Sequence, residues 1–251
     1  MSTNAILDTK PDTSTVAFLL RASDEFAGGG WIFTGFNWAV LAARLARHRG
    51  YGDFVQVLEA GAALHSDTKK LLTSTTDYYE TNPVTCFRGS SADVLQAIVP
   101  KCTRVLMDAA NVDLRGRANS TVIGSWAHPT VRLPGGGGAP DAAYNARHLV
   151  LLHSGRNVRR IVAQVRAVTS APNPEATVRL VTRWGTLALG VAPRLDVLAG
   201  TDDADDFLSH LTSLQVDVSS HTWEPARAAN ELALAGVVLD EAASSGYGVR
   251  G

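Results

Sequence analysis

A glutamate behind an apolar run and, further along, four consecutive glycines are the residues of this chain whose type and setting point to chemistry. Glu59 follows Phe54 to Leu58 and precedes Ala60, Gly61, Ala62 and Ala63. That places a carboxylate at the C-terminal end of a predicted strand with small residues in front of it, and open α/β sheets bind ligands at that end. A carboxylate is a weak nucleophile, yet it attacks a thioester to give a mixed anhydride, which the released thiolate converts into an enzyme thioester. The ordinary alternative is a loop glutamate that makes a salt bridge or a cap.

The glycines stand in "LPGGGGAPDAAYNA", Leu133 to Ala146, directly before an alanine-rich stretch that predicts a helix and an apolar strand at Leu149 to Leu152. Glycines admit φ > 0 and let a ligand reach main-chain N–H groups without a Cβ in the way, and a following helix adds unpaired N–H groups. An anion or an acyl oxygen fits such a cradle, while a flexible surface loop is the plain alternative. His65, six residues after Glu59, is a candidate acid or base or, more simply, a surface group, and the same two readings apply to His128 and His153, which flank the glycine loop. Arg88, Arg115, Arg117 and Arg132 are candidate carboxylate or phosphate contacts or plain surface charges. Tyr78 and Tyr79 suit a lid, a subunit contact or, most simply, burial.

The elements that must hold these residues alternate. Helical spacing covers Val16 to Phe26 and Trp38 to His48, with a short strand in "GGGWIFTG" between them. "DFVQVLEAG", "RVLMDA" and "STVIGS" read as strands, and Asp93 to Ile98 as a short helix ended by Pro100. From Gln164 to Gly200 the strands are closely spaced between Pro and Gly turns, which predicts antiparallel pairing. "TDDADDF" supplies an N-cap for a helix through Leu211, and Pro225 to Leu239 predicts a last helix. The expected fold is α/β: an open, mostly parallel sheet flanked by helices, with antiparallel strands toward the C-terminus. One domain is expected over 1–251, loose at 1–14 and 244–251.

Composition narrows the function. A chain of 251 residues with 45% hydrophobic and 19% charged residues buries a full core. A net charge of −1 gives no overall basic footprint for nucleic acid or membrane surfaces, so neither is an expected partner. The start lacks the pattern of a secretory signal and no apolar run approaches bilayer length, which points to the cytoplasm. Cys86 and Cys102 lack metal or disulfide spacing and read as buried thiols, so no metal is expected.

Four stretches occur in an order and spacing that resemble a known family: "VLEAG" (Val57 to Gly61), "DAANVDLRGRANSTVIG" (Asp108 to Gly124), "HPTVRLPGGGGAPDAAYNARHLVLL" (His128 to Leu152) and "AQVRAVTSAP" (Ala163 to Pro172). Over about Val16 to Leu211 the chain resembles class I CoA-transferase B subunits, above all that of glutaconate CoA-transferase, and also the B subunit of steroid-ring-opening CoA hydrolases. The resemblance implies a CoA-transferase/NagB-like sheet and Glu59 as the catalytic glutamate. It implies acyl contacts from Gly136, Gly137, Gly138 and Ala139, and a lining from the turn "GFNW" with Gly35 and Asn37, which otherwise caps the helix at Trp38. Asn111 stands where similar chains carry a glutamine beside an oxyanion-binding amide, and Ala109 and Ala110 replace the usual glycines; an Asx-turn is the other reading of Asn111. Ser170 lies in a family-like turn, but the proline- and glycine-rich excursion that normally follows is shortened to "NPEATVRLVT", which opens the way to water as acceptor.

The activity so implied is CoA transfer between an acyl-CoA and a small carboxylic acid through a glutamyl thioester, with the CoA thioester as substrate and no permanently bound cofactor. A CoA-ester hydrolase cleaving a thioester or a ring C–C bond, and a non-catalytic effector-binding domain, are the alternatives on the same scaffold. The resemblance also implies an A-type subunit as partner in a hetero-oligomer, encoded nearby. Trp31, Phe36, Trp38, Phe87 and Trp126, with the two tyrosines, are expected to divide between that interface and the core.

Overall fold

The computed structural model describes residues 12–249. Asp12 opens α1 (Thr13–Asp24) by accepting from the Thr15 N–H at 2.8 Å, so this helix begins ahead of the expected Val16 and leaves 12–14 ordered. β1 (Gly30–Thr34) and α2 (Trp38–His48) follow where the sequence predicts them. β2 (Phe54–Leu58) is the apolar strand before Glu59. Glu59, Ala60 and Gly61 then form a tight turn into β3 (Ala62–Leu64), which pairs antiparallel with β2. A Cβ on Gly61, at φ 104°, would stand 2.0 Å from the Gly89 carbonyl oxygen, so only glycine closes this hairpin. The short α3 (Tyr78–Thr81) leads to β4 (Thr85–Arg88), antiparallel to β3.

The remaining strands are β5 (Arg104–Asp108), β6 (Val112–Asp113), β7 (Val122–Gly124), β8 (Pro129–Arg132), β9 (His148–His153), β10 (Ile161–Val162), β11 (Thr177–Thr182), β12 (Gly185–Leu189), β13 (Arg194–Leu198) and β14 (Thr222–Trp223). The main sheet runs β14-β13-β12-β11-β9-β5-β1-β2-β3-β4. Its centre, from β11 to β2, is parallel throughout. Antiparallel pairs lie on the C-terminal flank as expected, β11 with β12 and β12 with β13. They also form the opposite edge, where no sequence pattern announces β3 and β4. "STVIGS" is a strand, but it pairs with β8 in a separate two-stranded ribbon and not in the main sheet.

Side chains alternate across the sheet and both faces are covered, as a parallel sheet requires. Ile32, Leu58, Leu106, Val150 and Leu152 pack with Phe18 and Leu19 of α1, Leu41 of α2 and Val238 of α6 (Ala229–Ser244). Phe33, Val57, Val105, Met107, Leu149 and Leu151 face the other way, onto Ala142 and Ala143 of α4 (Ala139–Asn145) and Phe207 of α5 (Ala204–Ser213).

Two termini differ from expectation. Asp203 sits at the α5 N-cap, but its carboxylate is taken by Trp184 Nε1 at 2.6 Å and makes no cap. α6 starts after Pro225 because the Glu231 carboxylate accepts from the Ala228 N–H at 3.2 Å, and it runs past Leu239 because Ala242 is buried. The expected loose tail is instead packed as far as Val249, which is buried, and the Tyr247 hydroxyl donates to the Leu72 carbonyl. Residues 1–11 and 250–251 lie outside the described part.

One long-range cap fixes α2. Asn37 occupies the N-cap position at φ 73° and ψ −119°, a region that non-glycine residues rarely enter, and its side chain does not cap the helix. Asp108, at the end of β5, does so from the sheet, accepting from the Trp38 N–H at 3.3 Å. The other carboxylate oxygen of Asp108 is buried and has no partner among the described residues. Burial pushes the Asp108 carboxyl up to about 7, against the pull of hydrogen bonds from Trp38, Asn37 and Ala39. Tyr247 faces it, and burial, with the Asp108 charge added, pushes that phenol up. The folded chain therefore keeps a proton that the unfolded chain releases above about 4, and this contribution to stability is lost as pH rises from about 4 to about 7. Asp108→Asn keeps an oxygen for the Trp38 N–H and cannot ionise. In urea denaturation it is expected to gain roughly 2.5 kcal/mol on the wild type between pH 5 and pH 8; an equal offset at both pH values would assign the titration to another group.

Candidate active site

Parallel strands deliver their C-terminal ends to one edge, and here that edge gathers the residues singled out from the sequence. Thr34 pairs with both Leu58 and Leu106, so Gly35, Glu59 and the segment after β5 leave the sheet side by side. Gly35 donates its N–H to the Leu106 carbonyl at 2.8 Å, and a Cβ there would reach only ordinary contact with Leu106 and Met107. The turn "GFNW" thus runs against β5.

Glu59 and the glycine loop meet directly. The Gly138 N–H donates to Glu59 Oε1 at 3.0 Å across 79 residues of sequence. A Cβ on Gly138 would lie 2.9 Å from the Glu59 carboxyl carbon and from Leu95 Cδ1, so the close approach needs glycine. Gly137 has φ 51°, which turns the chain so that the next N–H faces the carboxylate. Gly136 is packed for a different reason: its Cβ would strike Thr169 Cγ2 at 2.8 Å and Pro140 at 3.1 Å. Ala139 and Pro140 begin α4 immediately afterwards. The loop is therefore no slack linker, and the contact it makes is with the glutamate itself.

Leu95 belongs to a widened helical turn with i→i+5 geometry, Asp93–Ile98, a winding found often at functional sites. Asn145 Nδ2 donates to the Leu95 carbonyl at 3.1 Å and Gln96 to Asp141 at 3.0 Å, which bolts this turn to α4 beneath the glycines. A groove of about 510 Å³ adjoins the loop at Pro140 and Thr169 and is also lined by Tyr144, Val168 and Ser170. Glu59 is half-buried and lines neither this groove nor the larger cavity at the opposite edge.

After β5 the backbone is held from β9. Ala109 donates its N–H to the Leu152 carbonyl at 2.9 Å, and its carbonyl lies 2.9 Å from His153 Nδ1. His153 is buried, which holds it below the usual histidine range and neutral, so its proton sits on Nδ1 to serve that carbonyl. Because a trans peptide points C=O and N–H in opposite directions, the Ala110 N–H is aimed away from β9. Asn111 sits half-buried at the same edge, with its carbonyl accepting from Asn119 N–H at 2.9 Å. Its side chain makes no Asx-turn and no bond to Glu59 among the described residues.

Other candidates are dispersed. His65 and His128 are exposed, and Arg88 and Arg132 lie over the rings of Tyr78 and Trp126 at 4.8 and 5.4 Å. Tyr78 and Tyr79 are exposed, contrary to the simpler expectation of burial, and so are Trp31, Phe36 and Trp126, whereas Trp38 is core. Cys102 is buried, but Cys86, expected to be so, is exposed on the edge strand β4. Asp108, Leu95 and the wide turn are additions that sequence reasoning misses; an acidic residue closing an apolar strand is the one available signal.

No family model matches the sequence. Over 168 residues the chain is 28% identical to the B subunit of 3-oxoadipate CoA-transferase from Pseudomonas knackmussii, a match that spans 62% of this chain and 60% of that protein. Glutaconate coenzyme A-transferase from Acidaminococcus fermentans superposes with a TM-score of 0.76 over 90% of this chain and 94% of that one, at 19% identity. A variant of the decarboxylase AibA/AibB superposes with a TM-score of 0.74 over 90% and 95% of the two chains, at 22% identity. In architecture, then, this chain is a CoA-transferase-fold protein.

Proposed function

We propose that the chain is the B-type subunit of an acyl-CoA-processing enzyme that moves CoA from an acyl-CoA to a carboxylic acid. The observation that carries the reading is the Glu59 carboxylate seated on the Gly138 N–H. Glu59 attacks the thioester carbonyl and expels CoA thiolate, leaving a mixed anhydride. The thiolate then adds to the glutamyl carbonyl and releases the first acid, giving a glutamyl thioester. An incoming carboxylate repeats the two steps in reverse. In each addition at the glutamyl carbon the charge moves onto its oxygen, and the Gly138 N–H is already directed at that atom. The Ala110 N–H and Asn111 are suited to the substrate's own carbonyl oxygen. The resemblance to two-subunit relatives and the half-open setting of Glu59 support an A-type subunit as the facing wall, with the exposed Tyr78, Tyr79 and Trp126 available to an interface. The open setting also supports the second reading, in which water replaces the acceptor acid.

Three outcomes are expected. Wild-type enzyme incubated with an acyl-CoA and then borohydride or hydroxylamine should carry a mass change on the Glu59 peptide; Glu59→Ala should show none and lose at least about a thousandfold in turnover. Retained turnover in that variant would move the nucleophile elsewhere. Gly138→Ala is compatible with the local backbone, φ −81°, yet its Cβ intrudes on the carboxyl group. Its kcat should fall roughly tenfold to a hundredfold with little change in Tm; an unchanged kcat would mean that the loop does not position Glu59. Expressed alone, the chain should turn over acyl-CoA only after its A-type partner is added, and a monomer active at full rate would refute the shared site.

A further inference from the structure

Opposite Glu59, where the parallel strands begin, lies a cavity of about 1150 Å³. β5 contributes to both edges, Arg104 at one end and Asp108 at the other, about 13 Å apart at strand rise. The cavity is strongly basic although the whole chain carries a net charge of −1. Two of its arginines, Arg104 and Arg179, share the single carboxylate of Glu25 at 3.2 and 2.9 Å. Arg117 is matched by Asp113 at 2.7 Å, and Arg194 by Asp196 at 2.9 Å. Lys101, Arg115 and Arg147 also line the cavity and have no carboxylate partner among the described residues. Seven cations thus face three carboxylates, an excess of four positive charges around one concavity.

We infer that this cavity is a binding site for a small ligand carrying several phosphoryl groups, of the nucleoside polyphosphate class. An isolated guanidinium is satisfied by water, but a cluster raised by four charges above neutrality around one concavity attracts a polyanion of matching charge. Guanidinium forks suit phosphate oxygens because they bind two at once. The volume exceeds what phosphates alone need and leaves space for a nucleoside. One wall is prepared for it: Pro172 and Pro174 stiffen the loop, and Asn173 Nδ2 pins it to the Tyr144 and Ala146 carbonyls at 2.8 and 3.0 Å. The concavity favours a small molecule over an acidic protein surface, which needs a flatter and larger contact.

The inference stands apart from the role of Glu59 and is tested on the full chain by calorimetric titration with inorganic pyrophosphate, ATP and CoA. Pyrophosphate and ATP are expected to bind below about 1 mM, more weakly as salt is raised. Arg115→Ala with Arg147→Ala, two exposed positions outside the core, should weaken binding at least tenfold, and Glu59→Ala should leave it unchanged. Binding of CoA alone, lost in the double variant, would support the same phosphoryl site with CoA's nucleotide end as its source. No binding of any of the three at about 10 mM, or equal affinity in wild type and double variant, would overturn it. So would a co-purified acidic subunit that buries Arg115 and Arg147.

Discussion

The common direction of the central strands is the constraint on which the candidate site depends. Once β11, β9, β5, β1 and β2 run in parallel, every connection must cross a face of the sheet, and all their C-terminal ends open on one edge. Glu59 leaves β2 at that edge and the glycine loop reaches it from below as the lead-in to α4. The single bond from Gly138 to Glu59 joins these two excursions. Much of the neighbouring structure frames this contact: Leu95 and Thr169 occupy the space that a Cβ on Gly138 or Gly136 would need, and Asn145 and Gln96 tie the wide turn to α4.

What is legible in the sequence is local. The bounds of α2 follow from apolar spacing alone, and Glu59 and the glycines stand out because their residue types are unusual in their settings. Pairings made across the chain are hidden. β3 and β4 are three and four residues long and separated by a long connection, so neither shows a period, and Ala62 and Ala63 read as small residues in front of Glu59. Asp108 caps a helix 70 residues away, and no local pattern announces a cap supplied from another element. Exposure of Tyr78 and Tyr79 is equally invisible, since an aromatic pair has the same signature in a core and at a surface.

The edge holds two carboxylates in opposite circumstances. Asp108 is enclosed, with one oxygen occupied by the start of α2 and the other without a partner among the described residues. Such a group costs stability when charged and does structural service, fixing the turn that carries Gly35 and Asn37. Glu59 is left partly open and meets one backbone donor. A group meant to react cannot be saturated with partners, because each bond made in the resting state must be surrendered or reused when the bond order at its carbon changes. In the proposed mechanism Gly138 would satisfy that condition, its N–H serving the same oxygen before and after addition.

Charge is distributed unevenly between the two edges, and this bears on the assembly as well as on the site. An excess of four positive charges at the amino edge of a chain whose net charge is −1 leaves the remainder of the molecule acidic. A polyanion approaching in solution is drawn first to the basic cavity and gains little from the face that carries Glu59. CoA carries several phosphate charges, and among the described residues the Glu59 carboxylate is hydrogen-bonded to a backbone N–H, that of Gly138, and not to a cation. Under the proposed function the cations for the nucleotide end at that edge fall to the proposed facing subunit, which gives that proposal an electrostatic argument beside the steric one.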